Sequence, residues 1–167
     1  MSTEVTPVVR ERSYTWEDPR ALAAAAGGRT GLEFLQALAV GELPPPPIMA
    51  TIGADVETVE EGRVVFTLTP AEFHYNPIGS VHGGIFATLL DSACGCAVQS
   101  TLPADVAYTS LDLSVRFLRP MSSETGPVRC EGVVVSSGRR VVLARASITD
   151  AGGRLLGEAT SSCLILR

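Results

Sequence analysis

The spacing of apolar positions changes from helical to strand-like at about residue 48. Before that point, leucine and alanine recur at helical spacing, and Thr30 with Glu33 has the pattern of a capping box. We therefore predict a helix from Gly31 to Val40, preceded by a shorter helix that begins after Asp18-Pro19.

Residues 1–17 are polar and without periodicity, which predicts a loose arm. Pro44 to Pro47 predict a stiff polyproline spacer. We therefore divide the chain into an N-terminal arm with short helices and a proline-rich linker, 1–47, and a folded domain, 48–167.

Within 48–167, one helical segment separates two groups of strand-like runs. The helix is predicted from Ile85 to about Gln99, because this segment is apolar and contains no proline. The predicted strands are Ile48–Val59, Arg63–Thr69, and the runs 107–118, 127–136, 140–149 and 154–166. No helical crossovers connect consecutive strands, so we predict an α+β fold in which an antiparallel sheet packs on one long helix.

Composition restricts the classes of protein that this chain can belong to. The 167 residues are 46% hydrophobic, enough for one well-packed domain. The net charge of −5, with thirteen arginines and no lysine, argues against nucleic acid as a partner. The N-terminus lacks a signal-peptide core, and no apolar run approaches the roughly 18 residues of a membrane span. We predict a cytoplasmic location.

The four cysteines have neither metal-ligand nor disulfide spacing. Cys94 and Cys96 are two positions apart on the predicted helix, so they point to different sides of it. We interpret the cysteines as small hydrophobic residues and predict no metal and no cofactor.

The segment from Asn76 to Gly84 carries the candidate chemistry. It has turn residues followed by two glycines, and it leads into the predicted helix. The unpaired N–H groups at such a helix N-terminus can bind an oxygen that becomes negatively charged. Asp91 lies two turns further on, among small residues, and is either a catalytic carboxylate or a solvated surface residue.

These features together resemble the hotdog-fold acyl-CoA thioesterases of the phenylacetate pathway, the PaaI-like family. In that fold a curved antiparallel sheet wraps one long central helix, here with an N-terminal helical extension. The resemblance covers about 48–166. Four motifs carry it: Asn76-Pro-x-Gly-x-Val-His82-Gly83-Gly84 with Asp91 nine positions after His82, Ser110-Leu-Asp-Leu-Ser-Val-Arg-Phe-Leu-Arg-Pro120, Gly138-Arg139-Arg140, and Asp150-x-Gly-Gly-Arg-Leu-Leu.

The resemblance implies a role for each of these positions. Asp91 is implied as the catalytic carboxylate and the Gly83 N–H as the group that polarises the thioester carbonyl. His82 and Asn76 are implied near the thioester, although a structural role for His82 is equally open, and His74 is interpreted as structural. Ser110 is implied to place the attacking water, but neighbouring Thr109 leaves the strand register open. Gly138, Arg139 and Arg140 are implied near the phosphates of coenzyme A.

The spacing of Gly83 and Asp91 predicts a shared active site. Eight residues separate them, which is about 12 Å along a helix. One thioester carbon cannot contact both groups on one helix, so they must come from different protomers of a C2 dimer. The resemblance also implies such a shared site and, beyond it, a tetramer built from two dimers.

The predicted function is hydrolysis of an acyl-CoA thioester to a free acid and coenzyme A. The acyl group, aryl-acyl or medium-chain acyl, stays open, as does the choice between general-base and nucleophilic action of Asp91. One alternative is a non-catalytic acyl-CoA-binding module, although such a protein would be expected to lack the carboxylate. Another is a hotdog dehydratase or hydratase, which Thr88 argues against because it stands where those enzymes carry a glutamate.

Overall fold

A long helix packs on one face of a six-stranded antiparallel sheet in the computed structural model, which describes residues 8–166. The helices, in chain order, are α1 (Pro19–Ala25), α2 (Gly31–Ala39), α3 (Pro47–Ile52) and α4 (Gly83–Gln99). The strands are β1 (Ala54–Glu60), β2 (Arg63–Leu68), β3 (Ala107–Phe117), β4 (Val128–Ser137), β5 (Val141–Asp150) and β6 (Leu155–Leu166). Short 3₁₀ turns occupy Glu72–His74 and Ser123–Thr125.

The sheet order β1-β2-β4-β5-β6-β3 leaves β1 and β3 at its two edges. All neighbouring strands pair antiparallel, as the sequence predicts. The ladder between β3 and β6 is interrupted by a register shift between Ser110 and Asp112. This bulge changes which residues of the edge strand face α4.

The core lies between α4 and the sheet. Leu89, Leu90 and Ala93 of α4 are fully buried, against strand residues such as Phe66 and Ile148. Burying a side chain of this size contributes about 1.5–3 kcal/mol each. This packing fixes the rotation of α4, and with it the direction in which Asp91 points.

The strand predicted over Ile48–Val59 is wrong at its beginning. Pro47 starts the short helix α3, because proline in a first helical turn loses no hydrogen bond. The helix ends at Gly53, whose φ of 71° is the left-handed conformation of a helix C-terminus. β1 therefore begins only at Ala54.

The two predicted N-terminal helices are confirmed, including the capping box between Thr30 and Glu33. α2 packs against β1 and α4, and its Leu35 lies in the same core cluster as Met49 of α3. The division of the chain into 1–47 and 48–167 stays a prediction.

The predicted loose arm is only partly described, since residues 1–7 lie outside the described part of the chain. Residues 8–17 form no helix or strand, but the prediction that they are loose is wrong at Arg12. Its guanidinium donates to the carbonyl oxygens of Ala50 at 2.6 Å and Thr51 at 2.7 Å. It also lies 4.0 Å from the centre of the Phe73 ring, a cation–π contact that holds the arm to the 3₁₀ turn.

Candidate active site

The N-terminus of α4 presents the Gly83 N–H at the start of the helix. His82 is the N-cap residue, and its Nδ1 accepts a hydrogen bond of 2.8 Å from the Gly84 N–H. That bond leaves the proton of a neutral imidazole on Nε2. The Gly83 N–H comes first in the helix and has no intrahelical acceptor, so it is suited to bind a substrate oxygen.

Asn76 forms the turn that leads to this helix. Its Oδ1 accepts from the backbone N–H groups of Ile78 at 3.1 Å and Ser80 at 3.2 Å, and its Nδ2 donates to the Ser80 hydroxyl at 3.1 Å. The structure thus gives Asn76 a turn-forming role. Its contact with a thioester stays a prediction.

His74 is buried and holds the same loop through two hydrogen bonds. Its Nδ1 accepts from the Ala71 N–H at 3.0 Å, and its Nε2 lies 2.7 Å from the Ile52 carbonyl oxygen, to which it donates. Burial lowers the pKa of His74, and the nearby Arg12 charge lowers it further, against the opposing effect of the Ile52 hydrogen bond. His74 is therefore a neutral structural residue.

Asp91 lies half-buried in the middle of α4 and faces the edge strand β3. The Ser110 hydroxyl donates to Asp91 Oδ1 at 3.2 Å. Ser110, and not Thr109, is thus the residue of this strand that contacts the carboxylate, which answers the question of register. An ionised Asp91 can accept one bond from Ser110 and still accept another from a water molecule.

Two aromatic residues of β3 pack on α4 on either side of Ser110. Tyr108 lies against Gly95, where a Cβ would come within 2.4 Å of the tyrosine hydroxyl oxygen. Burial raises the pKa of Tyr108, followed by the effects of neighbouring cysteines and Asp91, so the phenol stays neutral. Phe117 lies against Gly83 and makes an edge-on contact with Phe86, with ring centres 5.6 Å apart.

Sequence reasoning missed both aromatic residues. Tyr108 and Phe117 face the same helix although their separation of nine positions is odd, because the bulge after Ser110 shifts the strand alternation by one. A bulge has no reliable signal in a single sequence. The small residues on the Asp91 side of α4 were the available clue that a large side chain from a neighbouring element packs there.

The Gly138-Arg139-Arg140 segment forms the exposed tip between β4 and β5. The Gly138 N–H donates to the Val141 carbonyl oxygen, and the Arg140 carbonyl oxygen accepts from the Ile165 N–H, both at 2.9 Å. Because Ile165 pairs with Tyr108, the arginines lie at the end of the sheet where β3 begins.

Within residues 8–166, no group of three or more histidine, cysteine or acidic side chains is arranged to hold a metal ion. In the same part of the chain, no helix has the length and apolar character needed to cross a membrane.

Comparisons with known proteins place this chain in one family. The family model described as the thioesterase superfamily matches residues 78–156, which include the N-terminus of α4, Asp91 and Ser110. A curated Halobacterium salinarum protein with a provisional esterase name is 36% identical over 106 residues, which are 60% of this chain and 68% of that protein. The chain belongs to the thioesterase superfamily.

Two further matches have more specific names. The 1,4-dihydroxy-2-naphthoyl-CoA hydrolase of Listeria monocytogenes is 26% identical, over 65% of this chain and 87% of that enzyme. The crystal structure of a phenylacetic acid degradation-related protein of Ralstonia eutropha, provisionally called a thioesterase, superposes with a TM-score of 0.70 at 27% identity, covering 77% of this chain and 97% of that one. The predicted hotdog fold, PaaI-like family and acyl-CoA thioesterase class are confirmed by these matches.

Proposed function

We propose that this enzyme hydrolyses an aryl-acyl or medium-chain acyl-CoA thioester to the free acid and coenzyme A, with Asp91 as the catalytic carboxylate. The observation that carries the proposal is the hydrogen bond between Ser110 and a half-buried Asp91 on the central helix. This hydrogen bond orients the Asp91 carboxylate toward β3. The Listeria relative, whose name specifies a CoA thioester, supports this substrate class.

Two routes use the same groups. As a general base, Asp91 removes a proton from water while the water oxygen bonds to the thioester carbon; the C–S bond then breaks and the sulfur takes that proton. As a nucleophile, an Asp91 oxygen bonds to the carbon and the C–S bond breaks, so the thiolate leaves; water then hydrolyses the mixed anhydride to the free acid and the Asp91 carboxylate, and a proton released from that water goes to the thiolate. In both routes the Ser110 hydroxyl donates a hydrogen bond to the Asp91 carboxylate and so orients it.

The Gly83 N–H stabilises the negative charge that develops on the thioester oxygen. A preorganised donor of this kind is worth about 3–4 kcal/mol of barrier. His82 caps the adjacent N–H and thereby leaves Gly83 free for the substrate, while its Nε2 proton is a second donor toward the same oxygen. Asn76 holds the loop that positions both residues.

The site is shared across a homodimer in this proposal. Gly83 and Asp91 stand about 12 Å apart on one α4, too far to act on one carbon. The free edge of β3 supports a dimer formed there, because an unpaired strand edge can pair with a second copy. Leu111 and Phe117 on this edge are exposed large hydrophobic residues. Arg139 and Arg140 then bind the phosphates of coenzyme A.

The decisive experiment measures thiol release from a panel of acyl-CoAs by wild type, Asp91→Asn and Asp112→Asn. Asp112 is the matched control, because it is a carboxylate on β3 that accepts from the Ser162 N–H at 3.1 Å, a bond that asparagine can also accept. We expect Asp91→Asn to lose at least about 10²-fold in kcat and Asp112→Asn to remain near wild type. An Asp91→Asn variant with full activity contradicts the proposal.

Labelling with H₂¹⁸O under single turnover tests for the covalent route. Label incorporated into Asp91 demonstrates the mixed anhydride, whereas label found only in the free acid shows that water attacks the acyl carbon, either of the thioester or of the anhydride.

A further inference from the structure

Arg12 joins two elements that are distant from it in the sequence. Its guanidinium donates to the carbonyl oxygens of Ala50 and Thr51, in the last turn of α3, at 2.6 Å and 2.7 Å. A cation is favourable there, because the last carbonyls of a helix lack intrahelical donors and form the negative end of its dipole. The Cζ atom of the same guanidinium lies 4.0 Å from the centre of the Phe73 ring, in the 3₁₀ turn Glu72–His74.

The residue after Phe73 connects the same two elements from inside the protein. His74 is buried, and its Nε2 donates to the next carbonyl of α3, that of Ile52, at 2.7 Å. Phe73 is on the outside of the turn, with 52% of its surface exposed. The carbonyls of residues 50, 51 and 52 are therefore all bound, two by Arg12 and one by His74, so the turn is fastened to the end of α3 on both sides.

One backbone hydrogen bond links this turn to the N-terminus of α4. The His74 carbonyl oxygen accepts from the His82 N–H at 2.8 Å. His82 in turn caps α4, since its Nδ1 accepts from the Gly84 N–H at 2.8 Å. The Gly83 N–H lies between these two attached groups, so its direction depends on where the turn holds the His74 carbonyl.

We propose that Arg12 is a positioning residue for the thioester hydrolysis described above, an inference that rests on the proposed function. By fastening the turn Glu72–His74 to α3, Arg12 fixes the His74 carbonyl. That carbonyl holds His82, and His82 sets the direction of the Gly83 N–H toward the thioester oxygen. A misplacement of about 1 Å can cost on the order of 10²-fold in rate, even when the substituted residue is remote from the chemistry. The N-terminal segment thus supports catalysis without contacting the substrate.

The first test measures kcat and KM of wild type, Arg12→Ala and Arg20→Ala on one acyl-CoA that the wild type hydrolyses. Arg20→Ala is the matched control, because it removes the same charge from the N-terminal segment but the Arg20 side chain pairs with Asp18 at the start of α1. We expect Arg12→Ala to lower kcat about fivefold to thirtyfold. Its KM is expected to change less than about twofold, since binding of the ground state is retained. Arg20→Ala is expected to remain near wild type.

A double-mutant cycle with Gly83→Pro separates positioning from a general loss of structure. Proline lacks the N–H, so the direction of that group no longer matters in this background. Arg12→Ala is therefore expected to lower the kcat of Gly83→Pro by less than about twofold. A substitution that only destabilised the fold would lower kcat by the same factor in both backgrounds. Equal factors, or an Arg12→Ala kcat equal to that of wild type, overturn the proposal.

Amide hydrogen exchange gives a readout that does not depend on turnover. Peptides covering 74–84, which include the His82 amide, are expected to exchange at least about tenfold faster in Arg12→Ala than in Arg20→Ala, while peptides of β5 exchange alike in both. Unchanged exchange in 74–84 overturns the inference and leaves the proposed function in place. If wild type releases thiol from none of the acyl-CoAs, the proposed function fails, and the inference fails with it.

Discussion

At the scale of single residues, a substitution at Gly83 can remove its backbone N–H donor and leave the helix α4 intact. It is the first residue of α4, where proline is tolerated, and the preceding His82 has φ −62° and ψ 138°, the extended conformation that proline requires before it. Gly83→Pro therefore removes the N–H proposed to bind the thioester oxygen and keeps the helix. Gly83→Ala keeps the N–H and adds a Cβ.

We predict that Gly83→Pro lowers kcat by about 10²–10³-fold, because the developing charge loses its donor. Gly83→Ala is the matched steric control, since its Cβ would lie 3.1 Å from the tip of the exposed Phe117 ring, which can shift. We expect it to keep most of the activity. Steady-state kinetics on one acyl-CoA, with circular dichroism to verify the helix, compares the two variants, and equal losses would contradict the role of the Gly83 N–H.

His74 supports a second prediction at this scale, on stability. Because its pKa is lowered in the folded protein, the unfolded chain binds a proton below about pH 6.5 while the folded chain does not. The free energy of unfolding therefore falls as the pH decreases through 6.5, with a slope of at most about 1.4 kcal/mol per pH unit from this group. Above pH 7 both states are neutral at His74 and the slope disappears.

Chemical denaturation of wild type, His74→Gln and His82→Gln between pH 5.5 and 8 measures this slope. His74→Gln is expected to reduce it, whereas His82→Gln retains His74 and is expected to keep it. Parallel stability curves for wild type and His74→Gln would show that another group titrates.

At the scale of elements, the sequence predicts regular segments well and their irregular joints poorly. The boundaries of α4 and of β3 to β6 lie close to those predicted, because hydrophobic periodicity and turn residues mark them directly. The contact of both Tyr108 and Phe117 with α4, by contrast, depends on a bulge after Ser110 that only the pairing with β6 reveals. α3 was missed because a six-residue helix is too short to show periodicity, although Pro47 and Gly53 mark its two ends.

The N-terminal segment gives the same lesson. The helical pattern of α2 was recognisable from the sequence, but the elements that it packs against were not. A repeat of leucines at helical spacing indicates only that one face of the helix is buried. The structure places α2 against β1 and α4. That placement creates an apolar cavity that Leu35 and Cys96 help to line.

At the scale of the whole molecule, the proposed shared site predicts complementation between two inactive proteins. Asp91→Asn lacks the carboxylate but retains the Gly83 N–H, and Gly83→Pro has the opposite defect. In a mixed dimer, one of the two sites would combine the intact Asp91 of one protomer with the intact Gly83 of the other, while its second site would carry both defects.

After co-unfolding and refolding of equal amounts, random pairing makes half of the dimers mixed, and each has one intact site of two. We therefore expect activity to recover to about a quarter of wild type, although each parent alone is nearly inactive.

A mixture of Asp91→Asn with Ser110→Ala, refolded in the same way, is the control. Asp91 and Ser110 contact each other within one chain, so neither site of this mixed dimer has both groups, and we expect no recovery above the mean activity of the two parents. An Asp91→Asn and Gly83→Pro mixture that stays as inactive as its parents, while size-exclusion chromatography shows dimers, would demonstrate that each active site is built from one chain.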